Sequence, residues 1–295
     1  MILRGYQEEA VAAGRKALQD HGNTLIVAPT GAGKTIMLSA LIGRMNPSKA
    51  LVLQHRDELV AQNSSKYRAV TYGQPSVVDA NVKSWIGDAV FAMVQTLCRP
   101  ANLDRMPTNI DLLVVDEAHH AIAPTYRKII DRARDNNPNI QIAGFTATPR
   151  RGDKKGLRRV FDNVAYQIAI KTLIDQGFLV PPKAMIIDVG TQSDLRHVKR
   201  TALDYDMGEV AAIMNKRTIN EEVVRKYREH AAGRKAVVFT STVAHAVDVC
   251  DTFRAEGIQA SVVSGETPEG ERRSILRRLK AGDIQVVVNC AVLTE

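Results

Sequence analysis

Cysteine is scarce: three in 295 residues, Cys98, Cys250 and Cys290, far apart in the chain and odd in number. They suggest no disulfide framework and cannot complete a four-ligand zinc site alone, so a reducing interior is the default. Aromatic residues make up only 5%, with a single tryptophan, which argues against a base-stacking platform and for contact with a nucleic-acid backbone if one is bound. No apolar run approaches the roughly 18–20 residues that a membrane span requires. Arg4, Glu8 and Glu9 stand where a signal peptide needs its apolar stretch. A cytoplasmic protein with no membrane partner is therefore expected.

What is present is a large apolar fraction and an excess of positive charge. Hydrophobic residues at 45% suffice for sizeable cores and exclude a disordered chain, and the length suits about two domains. Lys plus Arg number 40 against 32 for Asp plus Glu, a formal charge of +8. That balance favours polyanionic partners, although moderately basic enzymes share it.

Short β-branched runs alternate with amphipathic segments, the pattern of parallel βαβ units in an α/β fold. It predicts strands over Thr24–Ala28, Ala50–Gln54, Ala89–Val94, Asp111–Val115 and Ile140–Phe145, and a second series over Ala184–Val189, Ala236–Thr240, Gln259–Ser264 and Gln285–Asn289. Helices are predicted over Lys34–Met45, Arg56–Arg68, Val243–Glu256 and Glu269–Lys280. Gly177–Pro182 (GFLVPP) interrupts the pattern, because two prolines continue neither a helix nor a central strand. The boundary placed there divides residues 1–180 from 181–295. Asp194–Lys216, polar and weakly periodic, is expected to be mobile.

Two motifs carry chemistry. Ala28–Thr35 (APTGAGKT) lies between a predicted strand and a predicted helix. Gly31 and Gly33 permit the tight turn that points successive N–H groups at an anion, and the helix adds its positive end. Pro29, Thr30 and Ala32 complete the loop; Lys34 reaches β- and γ-phosphates, and the Thr35 hydroxyl suits Mg2+. Ala28 stands where the common pattern has glycine. Downstream, Asp111–His119 is an apolar strand ending in Asp116 and Glu117, which places charge at the crevice where α/β sheets bind ligands. Asp116 would hold Mg2+ and Glu117 would orient or deprotonate an attacking water. His119 and His120 invite a metal reading, but adjacent histidines tend to point apart and no partner lies at ligand spacing, so zinc is not expected.

In this order, APTGAGKT, DEAHH and Phe145–Pro149 (FTATP) resemble the motif set of superfamily 2 helicases. LVLQHRDELVAQ, AMVQTL, VVFTSTVAHA and VVNCAVLTE resemble further members of that set. The resemblance spans essentially the whole chain. It implies two tandem RecA-like domains with mostly parallel sheets, ATP and Mg2+ as ligands, and nucleic acid as partner, DNA in preference to RNA. The DEAHH form and the GFLVPP crossover are similar to bacterial RadD-like DNA-repair helicases and related phage helicases. The resemblance further implies that Gln7 reads the adenine with Arg4 stacking nearby. It implies that His119, Thr146 and Thr148 couple the ATP site to nucleic acid. Arg56, the Gln95-Thr96 pair and Ser264-Gly265 fall where the family grips the strand. It also implies a Gly-Phe-Asp-like turn and an arginine motif after VLTE, so the second domain is expected to be incomplete, with four strands, and the chain to bind ATP with little turnover.

The basic run Arg150, Arg151, Lys154, Lys155, Arg158 and Arg159 suits a solvated helix face or contact with phosphates. Asn63-Ser-Ser65 matches a glycosylation acceptor that no secretion signal supports. Beside an ATP-driven translocase or helicase stand three alternatives: the motor subunit of a restriction enzyme, a nucleotide- and nucleic-acid-binding module without hydrolysis, and an unrelated phosphate-loop enzyme such as a small-molecule kinase.

Overall fold

The computed structural model describes residues 2–55, 57–148, 156–200 and 205–293, without the side chains of 57 and 58. Two compact units divide it, Met1–Pro182 and Lys183–Glu295.

The first unit is built on seven strands: β1 (Asn23–Val27), β2 (Ala50–Gln54), β3 (Pro75–Val78), β4 (Ala89–Met93), β5 (Leu112–Asp116), β6 (Gln141–Thr146) and β7 (Val164–Gln167). They lie in the order β3-β4-β2-β5-β6-β1-β7, and every pairing is parallel. Alternate residues of the apolar strands go to opposite faces. Ile26, Val52, Phe91 and Val114 pack with helices α1 (Gly5–His21), α2 (Lys34–Met45) and α3 (Asp57–Thr71). Leu25, Leu53, Val90 and Val115 pack with Tyr126, Ile129 and Ile130 of the helix Pro124–Asn136. A sheet buried on both faces needs the near-continuous apolar runs that the sequence contains.

β2 and α2 form over the residues that the pattern predicts. The other central strands are displaced or shortened by a residue. Several elements escape it, among them α1, β3, β7 and the helix Pro124–Asn136. The buried stripe of α1 includes Gln7, Ala10 and Gly14, which carry little apolar signal. Gly14 is needed there, since a Cβ would stand 2.8 Å from Ile26 Cδ1 of β1. β3 and β7 are four-residue edge strands; β3 is half-buried over its first three residues, and β7 is half-buried in the middle and exposed at both ends.

In the second unit, β8 (Ala236–Thr240), β9 (Ala260–Val263) and β10 (Val286–Cys290) form a parallel sheet in the order β8-β10-β9. Val224, Val249 and Phe253 of the helices Arg217–Ala231 and Val243–Ala255 cover one face. Ile275 of the helix Glu269–Ala281 packs with Val263 and Val287 on the other. The expected fourth strand is corrected here. Ala184–Val189 forms no strand: it pairs with none among the described residues, and Met185 and Ile186 are 57% and 95% exposed. The sheet therefore has three strands among the described residues rather than four, because an apolar run becomes a strand only where an edge receives it. The described part of Asp194–Lys216 contains the helix Met207–Met214, capped by Asp206, whose carboxylate accepts from the Gly208 and Glu209 amides.

Candidate active site

Parallel register aligns the carboxyl ends of the central strands. Val27 pairs with Thr146, Phe145 with Asp116, and Leu53 with Val115, so whatever follows β1, β6, β5 and β2 meets at one edge. The loop Ala28–Gly33 leaves β1 there. Gly31 and Gly33 adopt φ of 85° and 81°, in the left-handed region that glycine enters without penalty. Gly33 caps α2, and its carbonyl accepts from the Ile36 and Met37 amides. The first turn of α2 then carries Lys34 and Thr35 at the loop's end. Close packing adds a second need for glycine: a Cβ on Gly33 would stand 2.6 Å from Gln7 Nε2, and one on Gly31 2.9 Å from Leu179 Cδ2.

Gln7 is buried beneath the loop. Its Nε2 donates to the Ala32 carbonyl at 3.0 Å, as does the Tyr6 hydroxyl at 2.9 Å, and its Oε1 accepts from the Arg4 amide at 3.1 Å. The Arg4 guanidinium lies over the Phe178 ring, 5.1 Å from its centroid, and Tyr6 meets the same ring edge-on at 5.0 Å. Phe178 and Leu179 belong to the GFLVPP segment, to which sequence reasoning assigned a boundary and a family likeness but no place at the site. A pocket of about 750 Å3, lined by Tyr6, Gln176 and Phe178 among others, opens beside them.

At the end of β5, Asp116 is buried and its carboxylate is fixed from three sides. Asn63 Nδ2 donates to Oδ2 at 2.9 Å, Gln54 Nε2 to the same oxygen at 3.3 Å, and the Glu117 amide to Oδ1 at 3.0 Å. Burial, and then the neighbouring Glu117 charge, push the Asp116 carboxyl above the ordinary carboxylate range. Glu117 has φ of 50°, a strained conformation for a side-chain-bearing residue that recurs where geometry serves a site. Burial pushes its carboxyl up, but the His119 hydrogen bond and the Lys34 charge outweigh this and hold it below the usual value. Lys34 Nζ and His119 Nδ1 each stand 3.4 Å from a Glu117 oxygen. His119 Nδ1 also lies 3.1 Å from the Thr146 hydroxyl, which accepts from the Thr148 amide at 3.1 Å.

Lys34, Thr35, Asp116, Glu117, His119 and Thr146 are thus brought together. Gln54 and Asn63 were missed. Asn63 is 1% exposed, which removes the glycosylation reading, and its Oδ1 accepts from the Thr35 hydroxyl at 3.0 Å. The signal available was a polar residue on an otherwise apolar helix face. His119 and His120 do not point apart as expected: their rings lie 4.1 Å from centroid to centroid, and His120 in turn lies 4.8 Å from His55. Thr35 and Asp116 offer a hydroxyl and a carboxylate, the hard oxygen donors that Mg2+ prefers, and a divalent cation would neutralise the buried Asp116 and the partly exposed Glu117 beside it; the residues fit that ion.

The other candidates differ in exposure. Gln95 is exposed and donates to the His55 carbonyl at 3.2 Å, whereas Thr96 is buried at 6% exposure. Thr148 is exposed. Ser264 is buried in the second unit, where its hydroxyl accepts from the Glu266 amide; Gly265 beside it is exposed. Arg56, Arg150, Arg151, Lys154 and Lys155 lie outside the described residues. Arg158 and Arg159 are exposed on the short turn Leu157–Arg159. Among the described residues no helix is long and apolar enough to cross a membrane.

Residues 1–151 match the family described as "Type III restriction enzyme, res subunit", and residues 215–295 match "Helicase conserved C-terminal domain". The chain is 30% identical over 315 residues to the putative ATP-dependent helicase IRC3 of Saccharomyces cerevisiae, covering all of this chain and 45% of that protein. It is 32% identical over 305 residues to the putative mitochondrial ATP-dependent helicase irc3 of Schizosaccharomyces pombe, covering 99% of this chain and 50% of that one. The chain therefore spans about half the length of these curated relatives. Among solved structures, the Type ISP restriction-modification enzyme LlaBIII bound to DNA superposes with a TM-score of 0.72 at 15% identity, covering all of this chain and 25% of that one; this likeness concerns the fold.

Proposed function

The chain belongs to the superfamily 2 helicases, and from that premise we propose that it is the ATP-binding core of a translocase or helicase acting on DNA. The observation that carries the reading is the meeting of Lys34, Glu117, His119 and Thr146 at one sheet edge, beside a loop whose glycines leave room for an anion. In this reading the backbone amides of the loop and the start of α2 receive the phosphates. Lys34 exchanges Glu117 for a phosphate oxygen. Thr35 and Asp116 hold Mg2+, which supplies positive charge against the triphosphate. Glu117 is held ionised by His119 and Lys34, so it orients the attacking water and accepts its proton. Thr146, bonded to both His119 and Thr148, passes the state of the acidic strand end to the exposed Thr148. Gln7 and Arg4 face the base, with Phe178 as a third member of that group.

DNA as the partner is supported by the match to a restriction-enzyme family and by the positive charge excess. The same match favours one further reading, the motor subunit of a restriction enzyme, which uses the same ATP chemistry. Titration with a fluorescent ATP analogue tests the common core. Lys34→Ala is expected to bind about ten- to a hundredfold more weakly, the value of a charge-assisted hydrogen bond. Equal affinity in the two proteins overturns the assignment.

A further inference from the structure

Asn63 lies on the buried face of α3, one turn from Val60 and one from Tyr67, both in the apolar core. An amide placed there loses its water and destabilises the fold unless both ends are hydrogen-bonded, so an apolar side chain would pack at less cost. Both ends are bonded, and to two particular residues. Oδ1 accepts from Thr35 at the start of α2, and Nδ2 donates to Asp116 at the end of β5. These are the two residues that the Mg2+ reading singles out.

The polarity of this bridge has a consequence. An ionised Asp116 only accepts, so the amide nitrogen of Asn63 must face it, and the carbonyl oxygen must then face Thr35. Thr35 has one hydroxyl proton, and giving it to Asn63 leaves the lone pairs of Oγ1 available. Without that acceptor the same proton is free to turn toward Asp116 or a phosphate oxygen, which places a hydrogen where a cation needs an electron pair. On the other side, Asn63 and Gln54 both donate to Oδ2 and the Glu117 amide donates to Oδ1, so the carboxylate does not rotate.

The geometry points to Asn63 as the positioning residue of the Mg2+ site: it holds Thr35 and Asp116 in register across α2, α3 and β5, and it fixes the direction of the Thr35 proton. This inference rests on the ATP reading above and assigns no metal contact to Asn63 itself. Partners of this kind, one bond removed from the metal, typically change metal affinity by roughly ten- to a hundredfold when removed.

The test is the Mg2+ dependence of nucleotide affinity, measured by titrating the 295-residue chain with a fluorescent ADP analogue in EDTA and at rising MgCl2. For Asn63→Ala, the Mg2+ concentration giving half of the affinity gain is expected to rise roughly ten- to a hundredfold. Asn63→Ser, a milder truncation to use if the alanine variant melts early, is expected to shift the midpoint in the same direction. An unchanged midpoint overturns the inference. So does an equal loss of affinity in EDTA and in Mg2+, which marks Asn63 as a packing residue only. If the wild-type chain binds no nucleotide in either buffer, the ATP reading itself falls and takes the inference with it.

Discussion

Lys34 Nζ stands 3.4 Å from Glu117 Oε1, with the two side chains only 11% and 27% exposed, so the cation at the phosphate loop and the carboxylate at the acidic strand end restrain each other. A phosphate that recruits Lys34 must break this pair and bring its own negative charge near Glu117. Glu117→Gln removes both obstacles. It is expected to bind ATP about two- to fivefold more tightly, the range of a partly exposed ion pair, while losing any hydrolysis. Fluorescent-nucleotide titration and phosphate release check the two halves, and weaker binding by Glu117→Gln would count against the pair's role.

Phe178 meets Arg4 and Tyr6, and with Tyr6 it lines the adjoining pocket. If this group faces the base, Phe178→Ala should weaken ATP while leaving binding of inorganic tripolyphosphate nearly as it was. A loss of about two- to thirtyfold for ATP corresponds to one cation–π or stacking contact. Competition against a fluorescent nucleotide separates the two ligands; equal losses for both would assign Phe178 to packing alone.

Strand contact through the backbone makes binding insensitive to base sequence and steeply weaker with salt, each phosphate contact adding about 0.7–0.9 to the log–log slope. Arg56→Ala should lower that slope by about one contact. Anisotropy titrations of single- and double-stranded DNA, with RNA of the same sequence, over a salt series measure it. A slope near zero removes this mode of binding.

His245 gives the second unit a pH response. Burial lowers its pKa beneath the ordinary 6.5, the charge of Asp248 opposing only in part. The folded unit therefore binds fewer protons than the unfolded chain in the window just below 6.5, and stability must fall as pH falls through it. The contribution is fully present above 6.5. Urea melts of the second unit from pH 7.5 to 5.5 should show that loss, and His245→Gln should flatten it. A midpoint that moves equally in both proteins assigns the response elsewhere.

The sequence by itself determined the elements whose signals are local. The apolar runs of β2, β5 and β6 and the glycines of Ala28–Thr35 read correctly because burial on both faces and a positive φ each demand particular residues in a contiguous stretch. Motif order was enough to identify the superfamily. The edge strands β3 and β7 and helix α1 were illegible because half-buried or small residues leave no periodic trace, and Ala184–Val189 misled because its apolar run found no strand to pair with. Tertiary structure alone decided which side chains meet. Asn63 lies 53 positions from Asp116 and 28 from Thr35, and Phe178 lies still farther from Arg4. These meetings depend on strand order and on how α3 and the segment after Asp175 pack, properties of long-range burial that no local window of sequence encodes.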